Sequence, residues 1–376
     1  MTRTLTRRAF WPSAASLFAL PALAQEKKPA AVDPAKVALA VAGGLEHLRK
    51  TQSRDGSWSP PGGMYPTAMT GMAGLALLME GSTCRTGKYA DAISRAVEWF
   101  LKRTQPNGLI GNPNNPTEGS RYSYGHGYGM LFLACAYGEE EDTATRKKLE
   151  KALTKGVEFT CKAVTTKGGW GYRSAAEEND FDEGSTTVTQ LQALRACRNA
   201  GIAVPKPTID NAITYLKKCT TPQGGLIYNL VPGQAAESGS ECMAITAAAC
   251  ASACSTGMYK DKYFGLWLKF CRNSIYRQFG TNGHDDYANL YFGQVMYVLG
   301  DDRYASLIDP GCRPADAMTW SEYKRMAFGN YLRTQQADGG WVPGGGWGAS
   351  AGPVFATATA LIIMQLEKEQ VPFYQR

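Results

Sequence analysis

Histidine is scarce in this 376-residue chain, which holds three in all. They are His47, His126 and His284, and a three-histidine metal site would need His47, which lies inside an amphipathic helical segment. No CxxC occurs, and no cysteine and histidine cluster has zinc-finger spacing. There is no basic cluster, which argues against a nucleic-acid partner. No run alternates long enough to build a sheet. The apolar run near the start is too short to span a membrane. These absences leave an all-α chain with no metal and no other cofactor expected, and with no transmembrane segment.

What is present is a repeated phrase. Gln52 to Trp58 reads QSRDGSW and returns as Gln335 to Trp341, QQADGGW, with the same Gln, Asp, Gly and Trp spacing. Weaker copies lie between, with turn glycines at Gly56, Gly108, Gly168, Gly224, Gly283 and Gly339. Their intervals of about 52 to 60 residues signify a repeat architecture. Each copy follows a charged amphipathic segment and precedes an almost wholly apolar one. Before the second copy, Ile93, Val97, Phe100 and Leu101 fall on one helical face, with Arg95, Glu98 and Lys102 on the other. Thr67 to Met79 has no polar face beyond two threonines and reads as a helix buried all round. Glycine and Asp-Gly supply the left-handed residue and tight turn between the two kinds of helix. The Gln at the end of the outer helix is expected to bond free backbone groups near the next inner helix, with the Trp covering that bond from water.

The first residues, MTRTLTRRAFWPSAASLFALPALAQ, resemble a twin-arginine signal, with Arg7-Arg8 ahead of an apolar run and Ala22-Leu23-Ala24 as the cleavage site. An ordinary secretory signal would give the same destination, so residues 1–24 are set apart from the fold and the mature chain is expected to be periplasmic or secreted. Loss of Arg3, Arg7 and Arg8 takes the formal charge from +7 to +4. Residues 25–32 form a linker, and Asp33-Pro34 then offers a cap followed by proline at the first helical position. The domain is expected to run from 33 to 376. Its ten cysteines permit disulfides. Cys135, Cys197 and Cys254, however, sit at equivalent places in successive repeats and read as buried apolar residues.

Six helix hairpins follow. Outer helices are predicted over 34–52, 88–104, 145–164, 207–220, 260–278 and 320–335, and inner helices over 66–80, 125–137, 185–199, 240–255, 286–299 and 353–367. An open solenoid would need polar terminal repeats, and here the first and last inner helices are as apolar as the middle ones. The predicted fold is therefore a single closed (α/α)6 toroid, a double ring of six inner and six outer helices. The QxxDGxW phrase, GGWGY at Gly168 to Tyr172, and apolar helices such as YGMLFLACAYG resemble the terpene cyclase and protein prenyltransferase repeat family over essentially the whole mature chain. TTVTQLQALRACRNAGI, TPQGGLIY and VPFYQR look like a bacterial branch of small exported members.

That resemblance directs attention to the rim where the chain enters the inner helices. Asp180, Asp182 and Glu183 resemble the DxDD acid with which squalene cyclases protonate an alkene, one carboxyl being kept neutral by its neighbours. The same residues also serve as an acidic helix start. His284-Asp285-Asp286-Tyr287 opens the fifth inner helix. Asp285 or Asp286 could fill the aspartate place of the prenyltransferase zinc set, but the cysteine and histidine of that set are missing, and a helix-capping aspartate accounts for the position equally. Arg121-Tyr122-Ser123-Tyr124-Gly125-His126 enters the second inner helix, with Arg121, Tyr122, Tyr124 and His126, like His284 and Tyr287, as candidates to hold a ligand.

Three functions follow. The resemblance implies an apolar cavity that binds or transforms an isoprenoid or other lipid, with cyclase-like or transferase-like chemistry if the chain is an enzyme. A glycan hydrolase or lyase would use Asp182 and Glu183 with Asp285 or Asp286 across the cavity. A non-catalytic binding or scaffold toroid would use the same residues as caps. The export reading has a direct test: replacing Arg7 and Arg8 with lysine should leave precursor in the cytoplasm, whereas normal export of that variant would remove the twin-arginine assignment.

Overall fold

The computed structural model describes residues 32–59, 64–178, 180–231, 233–276, 285–344 and 346–371. The signal and linker assignments, apart from Val32, lie outside these. The outer helices are α1 (Pro34–Thr51), α3 (Ala90–Arg103), α5 (Thr143–Ala163), α7 (Lys206–Lys218), α9 (Lys262–Cys271) and α11 (Trp320–Thr334). The inner helices are α2 (Pro66–Leu78), α4 (Tyr122–Glu139), α6 (Gly184–Asn199), α8 (Met243–Thr256), α10 (Asp285–Leu299) and α12 (Gly346–Met364). No strand is present among the described residues, only isolated bridges in the connections.

Local chemistry sets the helix starts. The Asp33 carboxylate accepts from the Ala35 N–H at 2.9 Å, the Asp142 carboxylate from the Thr145 N–H at 2.8 Å, and the Asp261 carboxylate from the Tyr263 N–H at 2.9 Å. Every residue of α2 is buried, while α3 buries only one stripe, including Ile93, Val97 and Phe100. Two helices depart from the simple pattern. The last turn expected of α9 is a π-helical segment, Arg272–Tyr276. α12 is broken at Gly352, whose φ of 80° and ψ of −178° are non-helical, just before Pro353. The start at 353 expected from the sequence is thus the second half of a helix that proline interrupts.

The repeated phrase clamps one outer helix to the next. The Gln52 side-chain amide donates to the Gly56 carbonyl of its own turn at 2.9 Å and to the Ala92 carbonyl of α3 at 2.8 Å. This corrects the expectation that the Gln reaches toward the inner helix. The Asp55 carboxylate accepts from the Trp99 indole on the same neighbour at 3.0 Å. Trp58, Trp170 and Trp341 each donate their indole N–H to a carbonyl of the preceding outer helix, of Leu48, Thr160 and Tyr331 respectively, at 2.7 to 2.9 Å. Their backbone N–H groups donate to the hydroxyls of Thr70, Thr187 and Thr357 on the following inner helix. One phrase therefore ties together three helices.

The ring closes. Inner helices pack in the cyclic order α2, α4, α6, α8, α10, α12, and α12 packs back on α2. At the seam the Gln335 amide donates to the Ala40 carbonyl of α1 at 2.8 Å, across 295 residues of sequence. Gly44 leaves room for the Trp341 ring, which would lie 2.6 Å from a Cβ there. Gly339 has φ +89°, and a Cβ on it would come within 2.5 Å of the Gly43 carbonyl oxygen. Gly339→Ala should therefore destabilise by more than Gly257→Ala. Both residues are left-handed, which costs about 1 to 2 kcal/mol, but Gly257 faces open space. Trp341 is buried at 3% exposure, so Trp341→Ala should cost about 3 to 5 kcal/mol. Denaturation midpoints test both, and equal midpoints for the two glycine variants would mean that the seam is not close-packed.

Candidate functional site

The turns that enter α2, α4, α6, α8 and α12 each donate a backbone N–H to an equivalent side chain of the inner helix. The acidic segment sits immediately before α6, but its carboxylates point to three different partners. Asp180, with φ +60°, accepts from the Thr166 N–H at 2.7 Å and from the Thr166 hydroxyl at 2.5 Å. Burial acts to raise its pKa, and those two bonds together with the Lys167 charge more than offset it, so the carboxyl sits below its usual range. Asp182 is wholly buried, forms an ion pair with Lys167, and accepts from the Leu230 N–H at 2.9 Å. Glu183 is also wholly buried and caps α6, accepting from the N–H groups of Ser185 and Thr186 at 3.0 and 2.8 Å and from the Ser185 hydroxyl at 2.7 Å. Burial raises the Glu183 carboxyl above its usual value despite these bonds.

The Arg121 to His126 segment divides in the same way. His126 is 2% exposed; its Nδ1 accepts from the Ile110 N–H at 3.0 Å and its Nε2 lies 2.9 Å from the Thr160 hydroxyl. The first bond leaves the ring proton on Nε2, facing Thr160. This places His126 where the other repeats use Thr70, Thr187, Thr246 and Thr357, as acceptor for the N–H of the turn. It is a member of the clasp and holds no ligand position. The Tyr122 hydroxyl accepts from the Ser174 N–H at 2.7 Å, which also commits it to packing.

The remaining residues converge. The Arg121 guanidinium stacks 4.5 Å from the centroid of the Tyr172 ring, and Tyr172 shares a hydroxyl contact with Tyr228, which is 43% exposed. Tyr124 lies with its ring centroid 6.0 Å from that of Tyr172, and its hydroxyl is 2.5 Å from Ser185 Oγ and 3.4 Å from Glu183. Tyr65 and Tyr228 also lie within the field of Arg121. Tyr65 adopts φ 51° immediately before Pro66, a left-handed conformation disfavoured for a non-glycine residue and more so ahead of proline. Two of the three non-glycine residues with positive φ among the described residues, Tyr65 and Asp180, thus flank this rim.

Below this crown the described side chains meet across the ring axis. Tyr128 of α4 and Tyr291 of α10, which stand on opposite sides of the ring, bring their hydroxyls to 3.1 Å. The Tyr287 hydroxyl donates to the Ser185 carbonyl at 3.1 Å, and the Gln192 amide to the Gln294 side chain at 2.8 Å. All are buried. Asp286 is partly buried at the start of α10, whereas His284 and the Asp285 side chain lie outside the described residues.

No sequence-family profile matches this chain, and no curated protein does. Among solved structures, an unsaturated glucuronyl hydrolase of Streptococcus agalactiae superposes with a TM-score of 0.64 at 11% identity, over 92% of this chain and 95% of its own. An inactive variant of an alpha-1,6-mannanase of Salegentibacter sp., in complex with alpha-1,6-mannotetrose, gives 0.58 at 10% identity, over 89% and 99%. The type II terpene cyclase MstE of Scytonema gives 0.36 at 12% identity, over 90% and 98%. The chain is an α/α toroid. At these identities the likeness to the two glycan hydrolases is one of fold alone.

Sequence reasoning passed over Tyr172 and Tyr228, although they end two parallel phrases, Gly168-Gly169-Trp170-Gly171-Tyr172 and Gly224-Gly225-Leu226-Ile227-Tyr228. That register was the available signal. It also passed over Lys167, which nothing in the sequence couples to Asp182.

The buried imidazole gives a pH prediction. Burial lowers His126 from the ordinary 6.5 to about 3, so the unfolded chain takes up a proton that the folded one refuses. The stability it contributes is complete above pH 6.5 and is lost as pH falls from there toward 3. The raised Glu183 carboxyl works with opposite sign, its contribution being present below the usual 4.5 and lost as pH rises. Comparison with His126→Gln isolates the histidine: the stability difference between the two proteins should narrow between pH 6.5 and 4, and a constant difference would show that His126 is not held neutral.

Proposed function

We propose that this chain is a non-catalytic binding toroid whose ligand lies on the rim crown of Arg121, Tyr172 and Tyr228, with Tyr65 and Tyr124 beside them. The observation that carries this reading is the contrast between crown and axis. Tyrosine faces and a guanidinium gather at the rim, while Tyr128 and Tyr291 join hydroxyl to hydroxyl across the bore below. An isoprenoid chain would need an apolar bore, and this one is crossed by paired polar groups. A sugar ring suits the crown better, since it offers an apolar face of C–H groups to stack on tyrosine and a hydroxylated edge to meet Arg121 and the phenols. Tyr228 is exposed and Tyr172 half-buried, so both can reach a ligand from solvent.

The acid residues support binding over catalysis. A cyclase acid must carry a proton to give, whereas Asp182 is engaged by the Lys167 ammonium and a backbone N–H. Glu183 is enclosed and already serves as a helix cap. A glycan hydrolase would need two carboxyl groups facing one sugar about 5 to 9.5 Å apart, and Asp180, Asp182 and Glu183 each face different protein partners.

Titration calorimetry with a panel of soluble oligosaccharides tests the proposal. At least one should bind, with affinity falling about tenfold or more in Arg121→Ala and in Tyr228→Ala, and it should be recovered intact after long incubation. Release of shortened sugar would replace the binding reading with a hydrolase. Binding of farnesol, competed away by no sugar and weakened by Tyr228→Ala, would favour the isoprenoid reading.

A further inference from the structure

A concave site between the C-terminal end of α7 and the start of α9 is lined by none of the crown residues. It has a volume of about 710 Å3, within the range of about 300 to 1,000 Å3 common for small-ligand sites. Among the described residues its lining contains Lys167, Lys218 and Lys262 and no aspartate or glutamate. Its apolar part is formed by Leu230, Val231, Leu266 and the ring of Tyr263. Val231 and Leu266 are 44% and 41% exposed.

The nearby carboxylates are already committed. Asp182 lies beneath Lys167 as its buried partner. Asp261 is held by the Lys217 ammonium at 2.5 Å and by the Tyr263 N–H at 2.9 Å. Glu241 accepts from the Thr221 hydroxyl at 2.8 Å and from the Gly239 N–H at 2.8 Å. Lys262 stands 5.3 Å from the Tyr263 ring centroid, so charge and an aromatic face are presented together.

We infer that this groove binds a small amphipathic anion, a phosphate or carboxylate carried on an apolar body. The anionic group would sit among Lys218, Lys262 and the outer side of Lys167. The apolar body would lie along Tyr263, Leu266 and Val231, removing from water the two exposed aliphatic side chains. Neither half of the lining accounts for the other by itself: an ion alone leaves the apolar wall wet, and a hydrocarbon alone leaves Lys218 and Lys262 without a counter-charge, Lys167 being already paired with Asp182.

Octyl phosphate, octanol and inorganic phosphate, each titrated into the full chain by calorimetry, separate the components. Octyl phosphate should bind one to one, about tenfold or more tighter than either of the others, and more weakly as salt is raised. The double variant Lys218→Glu, Lys262→Glu should lose at least about tenfold in affinity. Both lysines are exposed on the surface, so the variant is expected to fold, and an unchanged denaturation midpoint verifies this. Arg121→Ala should bind octyl phosphate like the parent, which keeps this test independent of the crown. Equal binding of octanol, equal binding of inorganic phosphate, or indifference to the double charge reversal would each overturn the inference.

Discussion

The turn glycines bring each connection from outer to inner helix against the backbone of the following outer helix. Gly56, Gly108, Gly168, Gly224 and Gly339 all have φ between +89° and +98°, and a Cβ on any of them would collide with a carbonyl of that helix. Such an approach is open only to glycine. Once it is made, the amide of Gln52 or Gln335 can bond a carbonyl of the neighbouring helix, and the indole of the Trp can seal the end of its own. The rotation between hairpins is thereby set at the backbone, and repeating it around the circle returns the sixth hairpin to the first.

Closure by this means has a consequence at the centre. The described side chains that the inner helices bring to the axis are buried, so polar groups among them must find one another. Tyr128 with Tyr291, and Gln192 with Gln294, do so. The same rule governs the rim, where the N–H groups at the start of α6 need acceptors and Glu183 supplies them. Glu183 meets that need as the cap of α6, and Asp182 is paired with Lys167. The tyrosines of the crown are less enclosed: the Tyr172 and Tyr228 hydroxyls meet each other, while Tyr172 is half-buried and Tyr228 exposed.

His126 illustrates how the tertiary role of a residue can be invisible in its type. A lone histidine among tyrosines at a rim suggests acid and base work. Its place in the clasp shows instead a neutral imidazole standing in for threonine, accepting from Ile110 where other repeats have Trp170 or Leu226 as donor. The substitution is coherent, because the imidazole can accept on Nδ1 and still satisfy Thr160 through Nε2.

The recurrence of glycine, the alternation of amphipathic with wholly apolar segments, and the absence of polar terminal repeats determined the helices and their closed ring. These are local signals, periodic along the chain, and each repeat reports the same geometry again. The cap at Asp33 was legible for the same reason, since cap and helix are a few residues apart. The direction of each rim carboxylate was decided only in three dimensions. Asp180, Asp182 and Glu183 are neighbours in sequence, yet a left-handed residue and an extended one turn them toward Thr166, Lys167 and their own helix, and Asp182 depends on Leu230, 48 residues away. Tyr128 and Tyr291 are separated by 163 residues and meet because ring closure sets their helices opposite one another. Periodicity can specify a ring, but which side chains face each other across it depends on how far each helix is rotated about its own axis, and packing against both neighbours fixes that rotation.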